Sequence, residues 1–125
     1  MLLRIATKRI EPDILVVELS GRITLGGESQ GLETAVQELV ARSERKIVLD
    51  LGGVDYVDST GLGTITHCFS ALKKAGGGLL VARAGGKVQH LFKITRLDTF
   101  LALFPTVEAA CERFTTLHRE GAERS

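Results

Sequence analysis

The segment KIVLDL, residues 46–51, restricts the fold of this chain more than any other feature of the sequence. Its apolar residues are almost continuous, whereas a strand with one face in water alternates apolar and polar residues. A short run of this kind is typical of a strand that is covered on both faces. We therefore predict that residues 46–51 form a central strand with other elements packed on each side of it.

The segments around this strand alternate between strand-like and helix-like patterns. Predicted strands lie at residues 2–10, 14–19, 79–82 and 100–104. Predicted helices lie at residues 28–42, directly after the turn at residues 58–63, around residues 88–92, and after an N-cap at Thr106. The first two strands are joined by a short turn, which favours an antiparallel hairpin. We predict an α/β domain whose mixed sheet opens with this hairpin and carries about four helices packed against it.

Length and charge limit the number of domains and the class of partner. A chain of 125 residues is expected to form one domain. We place this domain at residues 1–118, followed by a polar C-terminal tail at residues 119–125. A net charge of +1 and the absence of Trp provide no basis for binding nucleic acid or an anionic membrane. No apolar stretch reaches the roughly 18 residues of a membrane span, and no signal peptide is recognisable, so we expect a cytoplasmic protein.

Cysteine spacing does not support a metal site. Cys68 and Cys111 are far apart in the chain and form neither a CxxC pair nor a zinc-binding spacing. Both fall on predicted apolar helix faces, which favours thiols packed in the core. We predict neither a metal nor a cofactor.

The turn DSTGLG, residues 58–63, places two hydroxyls directly after an acid. Asp58 or Ser59 can cap the following helix by accepting a hydrogen bond from a free N–H of its first turn. Capping does not require Gly61 or Gly63, each of which costs about 1 kcal/mol in a helix relative to Ala. Because glycine allows another backbone or a ligand to approach closely, we expect something to dock on this turn.

Two kinds of site chemistry are disfavoured at the turn. A hydrolase nucleophile elbow needs a glycine two residues before the serine, and residue 57 is Val. His67 lies two helical turns beyond Ser59, and the other histidines, His90 and His118, could act as a base only through tertiary contacts. A nucleotide site is disfavoured because neither the GxxxxGK[ST] nor the GxGxxG motif is complete.

Phosphorylation of Ser59 fits the turn better. A phosphate at a helix N-terminus is tolerated by the fold, since helix N-termini favour anions. It adds about −1.5 to −2 charges beside Asp58. Such a change is expected to act on a partner interface, and Leu62, which we expect to be exposed between two glycines, would suit an interface of this kind.

Three segments make the chain resemble the STAS domain family, in particular the bacterial anti-sigma factor antagonists. Residues 58–63 match the family's D-S-[ST]-G-L-G turn, and residues 21–24 occupy the place of its G-x-[LI]-[DT] segment. Residues 88–97 resemble its v-x-x-l-f-x-i-t-x-l segment. The match extends from about Leu3 to Phe114, and it implies a single STAS-like domain.

The resemblance implies a protein-binding switch and not an enzyme. Unphosphorylated members of this group bind an anti-sigma factor that is also a serine kinase, and so free the sigma factor. The kinase phosphorylates the first serine after the acid, which here is Ser59, and a serine phosphatase reverses the modification. The resemblance further implies partner contacts at Asp58, Thr60, Gly61, Leu62, Gly63, Gly21 and Thr24.

The sequence departs from the family pattern at Thr24, where many well-matched antagonists carry an acid. A second function is also compatible with the family. The chain could be a constitutive STAS subunit of another assembly, such as a signalling scaffold or a lipid-transport complex, that docks a partner through the same surface without phosphate control.

Overall fold

The computed structural model describes residues 3–124, and the side chains of residues 3–116. The strands are β1 (Leu3–Ile10), β2 (Ile14–Ile23), β3 (Lys46–Val57), β4 (Gly78–Ala82) and β5 (Leu103–Phe104). The helices are α1 (Gly27–Ala41), α2 (Ser59–Lys74), α3 (Gly86–Ile94) and α4 (Val107–Arg124), with a 3-10 turn at Leu97–Thr99 before β5. This order confirms the predicted alternation after an opening hairpin.

The strands form one five-stranded sheet whose spatial order is the same as their order in the chain. β1 and β2 pair antiparallel, and every later pair of neighbours is parallel. Each parallel step advances in the same direction across the sheet, so right-handed crossovers place the connecting helices α1, α2 and α3 on one face. α4 follows the last strand and covers the other face. The predicted fold class, a mixed sheet with helices packed against it, is confirmed.

Two cores lie on the two faces of the sheet. The larger contains buried residues of α1, α2 and α3, among them Leu32 and Phe92. The smaller contains Phe114 of α4. β3 contributes to both, since Leu49 belongs to the first core and Val48 to the second, and both side chains are completely buried. The central strand is therefore covered on both faces, as its continuous apolar run predicts.

Three strand boundaries differ from the prediction. β2 continues past Gly21 to Ile23, and β3 continues to Val57, because the two strands remain paired as far as these residues. This pairing contains a register shift after Gly21, whose φ of 108° is readily adopted only by glycine. Because this pairing joins residues far apart in the chain, no local apolar pattern in the sequence marks where the two strands end. The last strand is shorter than predicted, since only Leu103–Phe104 pair with β4.

The helix ends follow the capping rules. Thr106 Oγ1 accepts a hydrogen bond from the N–H of Ala109 at 3.0 Å, which confirms Thr106 as the N-cap of α4. Gly76 lies just beyond α2 with a φ of 86°, the left-handed conformation that ends many helices.

α4 is the longest helix, with 18 residues. Its backbone passes residue 118, where we predict that the domain ends, but the side chains of the predicted tail lie outside the described residues. The division into domain and tail therefore stays a prediction. Within residues 3–124, no helix combines the length and the apolar character needed to cross a membrane.

Candidate functional site

The DSTGLG turn joins the end of β3 to the start of α2. β3 ends at Val57, Asp58 is the N-cap in an extended conformation, and α2 begins at Ser59. The turn thus lies at the carboxyl end of the parallel strands, the edge at which open α/β sheets place their binding sites. Ile23, the last residue of β2, pairs with Val57, so the loop between β2 and α1 lies beside the turn.

Asp58 holds the turn and the neighbouring loop together. One carboxylate oxygen, Oδ1, accepts a hydrogen bond from the N–H of Gly61 at 2.8 Å, and the other, Oδ2, accepts one from the N–H of Leu25 at 3.0 Å. The backbone N–H of Asp58 donates to the carbonyl oxygen of Ile23 at 3.2 Å. The bonds from Gly61 and then Leu25 hold the pKa of the Asp58 carboxyl below its usual value. Asp58, and not Ser59, is therefore the helix cap.

Ser59 and Thr60 are both exposed to solvent at the first turn of α2. The described hydrogen bonds link no histidine to Ser59. His67 instead lies 3.3 Å from a carboxylate oxygen of Glu33, and His118 is outside the described side chains. The Ser59 hydroxyl therefore lacks, within the described part of the chain, the adjacent base that a nucleophilic serine needs. It is accessible to a modifying enzyme.

The two glycines of the turn have different surroundings. A Cβ placed on Gly61 would lie 2.2 Å from the carbonyl oxygen of Ile23, whereas a Cβ on Gly63 would meet nothing within 4 Å beyond its own helix and chain neighbours. The close approach that the sequence predicts at this turn is therefore made by a strand of the same chain, and it occurs at Gly61. Gly63 is exposed and leaves open surface beside Ser59.

The prediction that Leu62 is exposed is wrong. Its side chain is only 6% exposed and belongs to the larger core, because it begins the inward stripe of α2 that continues with Ile65. The exposed apolar residue beside the turn is Leu25, at 74% exposure, whose N–H is bound by Asp58. Leu25 is not among the site residues predicted from the sequence. The signal was an isolated Leu next to Gly26, in a loop where no periodic pattern buries it.

The remaining predicted contact residues lie at different distances from the turn. Thr24 directly follows β2, is half-buried, and accepts hydrogen bonds at its carbonyl oxygen from the N–H and the hydroxyl of Ser29. It is therefore next to Leu25 and the Asp58 carboxylate. Gly21 pairs with Val54, four residues before Asp58, so it lies about 13 Å back along the strand direction.

A second apolar surface adjoins the turn on the side of α3. Tyr56, two residues before Asp58, is 50% exposed, and the guanidinium carbon of Arg22 lies 5.3 Å from the centre of its ring. A groove of about 440 Å³ runs between this end of β3 and α3, where Val88 and Leu91 line it. Asp58, the residue before Ser59, thus binds the loop that carries Leu25, and the groove is lined by the residues of β3 directly before it, among them Tyr56 and Val57.

The two cysteines are core or partly buried thiols. Cys68 is 1% exposed, and burial raises its pKa to about 12. Cys111 on α4 is partly buried, which also raises its pKa. Neither thiol is activated as a nucleophile, and this agrees with their predicted structural role.

Comparison with known proteins identifies the family. A family model described as the STAS domain matches residues 6–110. BtrV of Bordetella bronchiseptica, described as a candidate anti-sigma factor antagonist, is 32% identical over 106 residues, which span 82% of this chain and 88% of that protein. The crystal structure of an anti-sigma factor antagonist from Mycobacterium paratuberculosis superposes with a TM-score of 0.76 at 26% identity, covering 89% of this chain and 92% of that one.

A more distant relation is limited to the fold. The phosphorylated form of the Bacillus cell fate determinant SpoIIAA superposes with a TM-score of 0.69 at 14% identity, covering 89% of this chain and 99% of that one. These similarities agree with the α/β fold described above, a mixed five-stranded sheet with four helices. The chain belongs to the STAS domain family and, within it, to the anti-sigma factor antagonists.

Proposed function

We propose that this chain is a phosphorylation-controlled switch that binds an anti-sigma factor serine kinase. In the unphosphorylated form it sequesters the kinase and frees the sigma factor; phosphorylation of Ser59 ends this binding, and a serine phosphatase restores it. The observation that carries the proposal is the Ser59 hydroxyl, exposed at the start of α2 directly after the Asp58 cap. A serine in this place is open to a kinase without any unfolding of the domain.

The position of Ser59 indicates that phosphorylation changes the charge of the binding surface and does not unfold the domain. A phosphate on Ser59 lies at the N-terminal end of α2, where the helix dipole stabilises an anion. Asp58 is ionised at neutral pH, since the ordinary pKa of an aspartate is 3.8 and hydrogen bonds from Gly61 and Leu25 lower it further. The phosphate therefore adds about two negative charges beside an existing one. The fold tolerates this charge. We expect the added charge to weaken the binding of a partner whose surface fits the unmodified turn.

The contact surface that we propose centres on the outward side of the turn. Ser59, Thr60 and Gly63 face solvent, and Leu25 supplies the apolar contact that Leu62 cannot. Thr24, beside Leu25, belongs to the same surface. Gly61 lies on the inward side of the turn. It packs against the backbone of Ile23 so closely that there is no space for a side chain.

The proposed activity is binding and not catalysis, and it takes place in the cytoplasm, where sigma factors act on RNA polymerase. Thr64, the next hydroxyl-bearing residue of α2 after the turn, is buried and donates to the carbonyl oxygen of Thr60. It is therefore not a second accessible acceptor. Ser59 and Thr60 are therefore the accessible hydroxyls of the turn, and the resemblance of residues 58–63 to the family's D-S-[ST]-G-L-G turn supports Ser59 as the proposed acceptor.

Binding measurements with candidate kinases of the source cell test the proposal. Ser59→Ala is expected to bind the kinase like the wild type and to accept no phosphate, whereas Ser59→Asp is expected to bind at least tenfold more weakly, about 1.4 kcal/mol. Ser70→Asp is the matched control. Ser70 is exposed on the same helix, eleven residues on and thus on nearly the same face, about 16 Å away.

Each result of these measurements has a definite meaning. Loss of binding in Ser59→Asp but not in Ser70→Asp supports a local charge switch. Wild-type affinity of Ser59→Asp would contradict the switch and favour a constitutive docking subunit.

A further inference from the structure

A second groove lies at the other end of α2 from Ser59. It has a volume of about 470 Å³, a size typical of small-molecule sites. Its walls come from Phe69 and Lys73 of α2, from Phe100 after the 3-10 turn, and from Arg113 of α4. Gly76–Gly78, at the start of β4, line its base without side chains. We call this the basic groove.

The charged side chains of the basic groove are all cationic. Arg45, Lys46, Lys73 and Arg113 line it, and no Asp or Glu does. Two of the four are already engaged: Lys46 pairs with Asp13 at 2.8 Å, and Arg45 donates to backbone carbonyl oxygens of Val40 and Glu44.

The other two cations are available to a ligand. Lys73 and Arg113 are exposed, and neither forms an ion pair with any residue in the range 3–116. They come from helices on opposite faces of the sheet and converge on one opening. Two uncommitted positive charges in one groove favour an anionic ligand.

Aromatic rings form the apolar part of the same groove. Phe100 is 46% exposed, although it is one of the largest apolar side chains, and its ring lies 5.4 Å from that of Phe69 at an angle of 54°. The Lys73 ammonium lies 5.9 Å from the centre of the Phe69 ring. An exposed ring beside a free ammonium suits a ligand that has a flat apolar body and a negative charge.

The backbone of the groove does not form a phosphate-binding loop. The N–H of Gly77 donates to the carbonyl oxygen of Leu72, and the N–H of Gly78 donates to that of Arg45, each at 2.8 Å. These amides are therefore not free to bind phosphate oxygens as a glycine-rich nucleotide loop does. An anion in the groove must be bound by the side chains of Lys73 and Arg113.

We propose that the basic groove binds an aromatic carboxylate, with the ring against Phe100 and Phe69 and the carboxylate between Lys73 and Arg113. The site is independent of the phosphorylation switch. It lies at the C-terminal end of the helix whose N-terminal end carries Ser59, about 21 Å away by helix rise.

An NMR titration of the full-length protein with 1-naphthoate tests this site. At low ionic strength, we expect saturable shifts of the backbone amides in residues 73–78 and 100–102, and none in residues 59–63. The neutral analogue 1-naphthalenemethanol is expected to bind at least tenfold more weakly, because it lacks the charge that the groove attracts.

Two double variants that remove the same amount of positive charge show whether naphthoate binds to the basic groove or responds only to the net charge of the protein. The double variant Lys73→Gln/Arg113→Gln is expected to lose at least tenfold in naphthoate affinity. The control, Arg4→Gln/Lys8→Gln, removes the same charges from exposed positions on β1, at the opposite edge of the sheet, and is expected to bind like the wild type. Phe100→Ala should weaken both naphthoate and its neutral analogue.

Three results would each overturn the proposal: no saturable shift in the groove, equal affinity for the neutral analogue, or unchanged affinity in the Lys73 and Arg113 double variant. None of these results bears on Ser59. The switch and the groove are therefore tested separately.

Discussion

The six residues of the DSTGLG turn divide into two sides with opposite surroundings. On the inward side, Asp58 binds two backbone N–H groups and Leu62 is buried in the core. On the outward side, Ser59, Thr60 and Gly63 face solvent. The inward residues fix the start of α2 against β2, and the outward residues are presented on this fixed base.

This difference shows how one short motif can serve both the fold and a partner. The inward side is explained by contacts within the chain. On the outward side, the described hydrogen bonds include none from the side-chain hydroxyls of Ser59 and Thr60, so contacts within the chain do not explain why these residues are there. Substitutions on the two sides should therefore separate stability from binding.

Leu62→Ala is expected to have the largest effect on stability. Because Leu62 is buried in the core, removing its side chain should lower the free energy of unfolding by about 2–5 kcal/mol. Leu25→Ala is the matched variant on the outward side, since its side chain is 74% exposed. It should change stability by less than about 0.5 kcal/mol and should weaken kinase binding. Urea denaturation measures both stabilities, and equal losses would contradict the division.

The same substitution at the two glycines should have opposite effects. Gly61→Ala places a methyl group on the carbonyl oxygen of Ile23 and should destabilise the protein by about 1–3 kcal/mol. Gly63→Ala meets open space within a helix and should stabilise it by about 1 kcal/mol. Thermal and urea denaturation of the pair provide the measurement. A destabilised Gly63→Ala variant would show that the outward side also carries structural contacts.

Asp58→Asn should reduce stability in a pH-dependent way. The Asp58 pKa is lowered in the folded chain by hydrogen bonds from Gly61 and Leu25, so the charged carboxylate stabilises the fold above the ordinary pKa of 3.8. This contribution is lost as the pH falls through the lowered value. The difference between wild type and Asp58→Asn should thus be largest at neutral pH and shrink below about pH 4.

The acid dependence of Asp58 needs one control. Glu44 also has a lowered pKa, chiefly because Arg9 donates hydrogen bonds to it. The pH series is therefore measured in a Glu44→Gln background, which removes that second contribution. If the difference in stability between Asp58 and Asp58→Asn stayed constant from pH 7 to pH 2, the charge of Asp58 would have no role in its hydrogen bonds to Gly61 and Leu25.

Ser59→Ala should have the smallest effect on stability. The hydroxyl is exposed and Asp58 already caps the helix, so a change of less than about 0.5 kcal/mol is expected. Ser59→Ala should nevertheless abolish phosphorylation. A large loss of stability in this variant would show that Ser59, like the inward residues, makes contacts that stabilise the fold.

Local patterns in the sequence were sufficient to predict most of the fold. The apolar run at residues 46–51 predicts a covered strand, and Thr106 and Gly76 mark the ends of helices. Local patterns do not predict that β2 and β3 continue to Ile23 and Val57. These ends depend on pairing between residues more than 30 positions apart, with a shift in register near Gly21.

The candidate site was predicted less completely. The motif identifies Asp58 and Ser59, but it does not show which residues of the turn face inward, so Leu62 was assigned to the surface. Leu25 was missed because its place beside Asp58 depends on a hydrogen bond across 33 residues of chain. Whether a side chain near a turn is exposed depends on tertiary packing, and the sequence indicates it only through weak local signals such as the isolated Leu25 beside Gly26.

In the proposed mechanism, phosphorylation of Ser59 switches the binding of the partner kinase. The most direct test is peptide mass spectrometry of the protein after incubation with ATP and the anti-sigma kinases of the source cell, with Ser59→Ala treated in parallel. We predict one added phosphate, located on Ser59, and none on the variant. A phosphate on another residue, or none from any kinase that binds the protein, would contradict the account.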